Sequence, residues 1–287
     1  MGRVIYGFAD RLEEWYQSPT HHKGRRAWRR STARVYKSRC RVLQTYFGNR
    51  AVKRITTLDI TDFFAESDLA DYTQVLIAKI LHQFFNHAIQ RGWTKFNPIK
   101  GLQFRNKKRR RQRVVLDPQE VWALFKAAEL NTSPKLYPFC VTAFYTGLRA
   151  HNVLELNRAD LLQDWIVLGE TQMKTGKELR IPTHPLLRRL AHEFPINRCY
   201  MTMYVATKRV VEAAGLNPAF TIHDLRRTVA TLLEEISSYA VSQAFLGHSP
   251  DFSTTATYVR PTDRQVRQAV LSLPDFTADA APPWPPG

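Results

Sequence analysis

Apolar positions recur at helical spacing through most of the chain, and alternation is confined to one short stretch. Residues 8–16 (FADRLEEWY) form a first amphipathic turn set. From Ser31 a second helix is predicted, with Val35, Val42, Leu43 and Tyr46 as its apolar stripe and Arg34, Lys37, Arg39 and Arg41 fanning outward. Residues 55–66 carry a Thr/Asp start signal and a short helix, and residues 71–91 a longer one. In the latter, Tyr72, Leu76, Ile80, Phe84 and His87 fall near a period of four; Gly92 stops it and Asn97-Pro98 marks a turn. Residues 1–104 therefore read as a small all-helical domain.

A stretch without acids or an apolar stripe follows, FRNKKRRRQR at 104–113, and residues 105–113 read as an exposed basic linker. A second domain, 114–276, opens on Asp117 as N-cap, Pro118 at the first helical position and Glu120 three after the cap. Val121, Leu124 and Phe125 supply its first buried face. Residues 136–155 are strongly apolar and break at Thr146-Gly147 before a helix restarts. Residues 165–168 and 178–182 read as two strands flanking a Thr-Gly turn that carries Lys174. Helical patterns return at 185–193, 202–215, within 223–258 and at 259–276, and the Pro-rich end at 277–287 reads as disordered.

Composition narrows the partner. The 287 residues carry 42 Lys and Arg against 25 Asp and Glu, a formal charge of +17. Such an excess repels itself unless it faces an anion, and nucleic acid is the usual one. An anionic membrane surface is the competitor, but no apolar run approaches a span and residues 1–12 are not signal-like, so a soluble, cytoplasmic protein is expected. From His21 to Arg54 there is no acid, and aromatic residues interleave the cations. Arg25, Arg26, Arg29, Arg30, Arg34, Lys37 and Arg41 are the candidate phosphate contacts here, with Lys107, Lys108, Arg109, Arg110 and Arg111 in the linker. A solvated helix face has the same look, and a nuclear-import signal the same composition as the linker. Cys40, Cys140 and Cys199 are too far apart for a metal motif and odd in number, and read as buried small apolar residues.

The stretch His223–Tyr258 holds the candidate chemistry. His223 and Arg226 lie three apart on one helix face, where a guanidinium beside an imidazole can grip a phosphate. Tyr258 can attack phosphorus if nearby cations stabilise its phenolate. Taken singly, each residue suits an ordinary amphipathic helix, Arg149 an ordinary cap and Lys174 an ordinary solvated turn. They recur together, however. Thr146-Gly147-Leu148-Arg149, Lys174 ahead of Thr-Gly-Lys, His223-Asp224-Leu225-Arg226-Arg227-Thr228, and Leu246-Gly247-His248 followed by Tyr258 resemble, in order, the boxes of the tyrosine recombinases, the phage-integrase family.

The resemblance implies a mainly α fold with a small antiparallel β-sheet: a helical core-binding (SAM-like) domain joined to a mixed α/β tyrosine recombinase catalytic domain. It implies catalytic roles for Arg149, Lys174, His223, Arg226, His248 and Tyr258, no metal and no cofactor. It further implies double-stranded DNA as partner, a homotetramer on two duplexes, and a directionality factor or host DNA-bending protein as possible helpers. Integration or excision of a phage or mobile element leads, ahead of a resolvase or invertase of the same family. A type IB topoisomerase and a catalytically dead DNA-binding regulator are the other classes. Longer members carry a further small domain for arm-type sites, for which this chain shows no room, so simple sites or a trimmed chain are expected. The helix at 259–276 can dock in cis or on a neighbour, with Leu271 and Leu273 as anchors. One departure stands out: an acid is usual three residues after the first arginine, and here that position is Asn152, where Asp is expected to be tolerated.

Overall fold

The structure, a computed structural model, describes residues 6–17, 28, 30–104, 113–173, 176–247 and 261–284. The chain divides into two compact units, residues 1–110 and 111–287, each with its own apolar core. The fold is mainly helical, with one antiparallel two-stranded sheet.

Among the described residues, the first unit is built on helices α1 (Phe8–Gln17), α2 (Arg30–Phe47), α3 (Thr57–Glu66) and α4 (Asp71–Gln90), with an isolated antiparallel bridge between Gly7 and Ala51. Thr56 caps α3 in a reciprocal box with Asp59, so the predicted start signal works as such. The buried phase of α2 differs from the expected one. Cys40, Leu43 and Phe47 enter the core, while Val35 is 44% exposed and Tyr46 also faces out. Residues 36, 40, 43 and 47 also recur at helical spacing, and the aromatic cluster of Phe8, Phe63 and Phe84 rewards that face instead. Likewise Tyr72, at the first turn of α4, is 74% exposed, and Ile77, Leu81 and Phe85 join Ile80 and Phe84 inside.

The second unit begins with α5 (Pro118–Glu129), capped by Asp117 with Glu120 in the reciprocal position. Next come α6 (Leu136–Thr146), buried over nearly its whole length, α7 (Ala150–Glu155) and α8 (Arg158–Leu162). Strands β1 (Trp165–Leu168) and β2 (Leu179–Pro182) pair with Leu168 opposite Leu179, as the alternation predicts. They lead to α9 (Pro185–Arg189), α10 (Tyr200–Ala213), α11 (Ile222–Ile236), α12 (Tyr239–Phe245) and α13 (Asp263–Leu271). Helix α6 is the central rod, with α5, α7, α10 and α11 packed around it. No described helix is long and apolar enough to cross a membrane. Cys40 and Cys140 are buried as expected, whereas Cys199 is exposed at the cap of α10, beside the Thr202 hydroxyl.

The end of the chain departs most from expectation. Helix α13 is shorter than the 259–276 pattern and packs in cis, with Val266, Ala269, Val270 and Leu273 in this unit's own core and Leu271 exposed. Beyond it, residues up to Trp284 lie against this unit. The Trp122 indole donates to the Ala278 carbonyl at 3.0 Å, and the Trp284 indole donates to Glu235 at 2.9 Å while its ring lies against Phe276. A Pro-rich segment is short of backbone donors, and here one of its carbonyls accepts from Trp122 while its own Trp284 indole donates outward.

Buried Tyr145 anchors the start of this tail. Its hydroxyl donates to the Pro274 carbonyl at 2.6 Å and accepts from the Phe276 N–H at 3.0 Å, and its ring stacks on His184. Burial pushes the His184 imidazole down to about 4. The neutral ring fits both of its contacts, Nε2–H donating to the Leu273 carbonyl and Nδ1 accepting from the Leu186 N–H. Tyr145→Phe would leave the Pro274 carbonyl and Phe276 N–H without this partner. We expect a loss of about 1–3 kcal/mol, with Tm falling by about 2–4 °C for each. An unchanged Tm in thermal denaturation would show that the tail is not held through this hydroxyl.

Candidate active site

The site is built around Arg226, a charged side chain only 4% exposed. It sits on α11, whose apolar face (Leu225, Val229, Leu232 and Leu233) is buried and which packs on α6 and α12. A capping box starts this helix: the Asp224 carboxylate accepts from the Thr221 N–H at 2.8 Å and its hydroxyl at 2.9 Å. The same buried carboxylate binds Arg227 one turn on.

The Arg226 guanidinium donates from Nη1 to the Gly147 carbonyl at 2.5 Å and from Nη2 to the Leu246 carbonyl at 2.7 Å. It therefore ties the break after α6 to the end of α12. Both approaches need glycine. Gly147 has φ +57°, and a Cβ there would lie 2.5 Å from Cε1 of Phe245. Gly247 has φ +64°, and its Cβ would meet a methyl of Leu179, at the head of β2, at 2.8 Å. The hairpin is thus held against the residue that precedes His248.

Arg149 stands two residues after Gly147, at the extended N-cap of α7, half-buried. Burial, and then the Arg149 charge, pushes the Arg226 guanidinium down to about 10, so it stays cationic at neutral pH. His223 lies exposed on α11, three and four residues from Arg226 and Arg227. Its proton affinity is lowered, by desolvation first and then by Arg227 and Arg226, with Arg149 adding to this and Asp224 opposing it. Three guanidinium groups so press on one imidazole, an arrangement that favours a neutral ring beside a cluster of cations.

Arg149, His223 and Arg226 are accordingly brought together. Lys174, His248 and Tyr258 lie outside the described residues, though their chain neighbours Met173, Gly176 and Gly247 do not. Of the candidate phosphate contacts, Arg34, Lys37 and Arg41 are exposed on one face of α2, and Arg30 is its first residue; Arg25, Arg26, Arg29, Lys107, Lys108, Arg109, Arg110 and Arg111 lie outside the described residues. The Asp224–Arg227 pair is absent from the sequence expectations, although Thr221-x-x-Asp224 signals the cap that places Asp224. Asn152 is more than a departure from the family pattern. That side chain is 1% exposed, and its amide Nδ2 donates to the Gln172 carbonyl at 3.2 Å.

A sequence model described as the phage integrase family matches residues 114–265, more than half of the chain. The chain belongs to the phage integrase family. The match spans all six candidate catalytic positions, including the three outside the described residues. No curated protein matches the sequence significantly. Among solved structures, a lambda integrase dimer bound to a COC′ core site is 22% identical, covering 86% of this chain and 97% of that one, with a TM-score of 0.68. A lambda integrase tetramer bound to a Holliday junction is 21% identical over 88% of this chain and 80% of that one, TM-score 0.70. The Tn1549 transposon integrase in complex with a circular intermediate DNA is 18% identical over 94% and 100%, TM-score 0.64. At these identities the likeness is one of fold.

The cationic surroundings of His223 give a signed expectation. Arg227→Gln removes a positive neighbour and leaves Asp224 without that partner, and both changes favour the imidazolium. The His223 ring, followed by NMR, should titrate below the ordinary 6.5 in the native protein and move upward in the variant. A midpoint that stays put or falls would show that Arg227 does not act on this ring.

Proposed function

We propose that this phage-integrase family protein is a site-specific DNA recombinase that integrates and excises a phage or other mobile element through a 3′-phosphotyrosine on Tyr258. The observation that carries this is the meeting of Arg149, Arg226 and His223 at one place, within a family match that extends across Tyr258.

In this reading Arg149 and Arg226 hold the two non-bridging oxygens of the scissile phosphate and stabilise the charge that grows on them in the pentavalent transition state. Tyr258 Oη attacks phosphorus, and the P–O5′ bond breaks. The tyrosine proton passes to His223, and Lys174 gives a proton to the departing O5′. His248 hydrogen-bonds the phosphate. The phosphodiester energy is kept in the phosphotyrosyl bond, so the 5′-hydroxyl of a partner strand can reverse each transfer and rejoin the DNA. Two such exchanges pass through a Holliday junction, for which a tetramer on two duplexes is the assembly we extend to this chain from the lambda integrase complex. Arg34, Lys37 and Arg41 recur at i, i+3 and i+7 on α2, a helix without a single acid, which suits a phosphate backbone; the remaining basic positions of 25–41 and 107–111 join them in this role.

The test is to incubate fragmented genomic DNA of the source or its host with the native protein and with Tyr258→Phe, denature, capture the protein and sequence the attached ends. Ends joined through a 3′-phosphate at one or a few sites, absent from the variant, are expected. Attachment scattered without sequence preference would point to a topoisomerase, and adducts surviving in the variant would move the nucleophile elsewhere.

A further inference from the structure

The residues that lead up to Lys174 in the chain are fastened from several sides. Gly169 N–H donates to the Gln172 side-chain oxygen at 2.9 Å, while Gln172 and Met173 N–H groups donate back to the Gly169 carbonyl at 3.1 and 3.2 Å. The Met173 side chain is buried in the core, and its carbonyl accepts from the Gly176 N–H at 3.0 Å across the turn. The remaining link crosses to another element: the Asn152 amide donating to the Gln172 carbonyl. Asn152 is itself fixed, its backbone N–H bonded to the Arg149 carbonyl at 2.8 Å in the first turn of α7. One short chain of bonds thus runs from the backbone of Arg149, through Asn152, to the residue two before Lys174.

We infer that Asn152 is a positioning residue that sets the approach of Lys174 to the leaving oxygen, and that it does so as a hydrogen-bond donor. This rests on the reading of Lys174 as the acid. The chemistry is specific to an amide. A carboxylate at this position, from a residue itself 1% exposed, would turn an acceptor toward the Gln172 carbonyl, another acceptor, and the bond would be lost. The acid that the resemblance would supply at 152 is therefore the wrong group for this turn, and Asn152→Asp is expected to be harmful rather than tolerated.

The experiment uses the duplex recovered by end sequencing, made with either oxygen or sulfur at the bridging 5′ position of the scissile phosphate. A thiolate leaves without a proton, so sulfur removes the need for an acid and for anything that aims it. The rate of covalent adduct formation is measured, with non-covalent binding of the same DNA as the control for folding. Asn152→Asp should slow cleavage of the oxygen substrate by about tenfold or more, with binding retained, and the sulfur substrate should restore most of the rate. Asn152→Ala, which removes the donor without adding charge, should show the same pattern even if the aspartate variant does not fold. Added to Lys174→Ala, Asn152→Asp should cost nothing further on the oxygen substrate. Full speed of Asn152→Asp on oxygen DNA would overturn the inference, and so would equal slowing on both substrates while sulfur rescues Lys174→Ala. If sulfur does not rescue Lys174→Ala, the role of Lys174 itself falls and the inference with it.

Discussion

A guanidinium taken out of water is the constraint on which the second unit depends. Arg226 is 4% exposed, and backbone carbonyls receive two of its protons. A carbonyl, unlike a carboxylate, accepts a hydrogen bond without cancelling the charge. Carbonyl dipoles offset part of the desolvation and leave the net charge in place. The acceptors lie 79 and 20 residues away in sequence, so the same two bonds that hold the cation also bring the break after α6 and the end of α12 to α11. Fold and electrostatic preorganisation are one arrangement here, since misplacing either carbonyl would move the charge as well.

That explains which parts were legible in the sequence. Features set by local chemistry read correctly: the Asp117 cap, the hairpin and the break at Gly147. The boxes read for a related reason, being short runs of polar and glycine residues whose types are dictated by one local geometry. What did not read was set by partners distant along the chain. Periodicity shows that α2 buries a face, but two phases fit its spacing, and the aromatic residues of α1, α3 and α4 choose between them. The tail's contacts reach Trp122 and Glu235, far upstream in sequence. Asn152 looked like a loss of charge because its acceptor, a backbone carbonyl, has no sequence signature.

The active-site arginines also bear on timing. Burial first, and then the charge of Arg149, lowers the Arg226 guanidinium to about 10, while desolvation and then Arg227, Arg226 and Arg149 lower the proton affinity of His223. A phosphate seated among these cations would offset the part of both shifts that comes from neighbouring positive charge. On the reading proposed above, His223 is therefore a weak, neutral base before DNA arrives and a stronger one once the phosphate is seated. On the same reading, the proposed proton acceptor of Tyr258 gains basicity when the phosphate to be attacked is present, so the charges that would hold the substrate would also favour the nucleophile's activation in the loaded site.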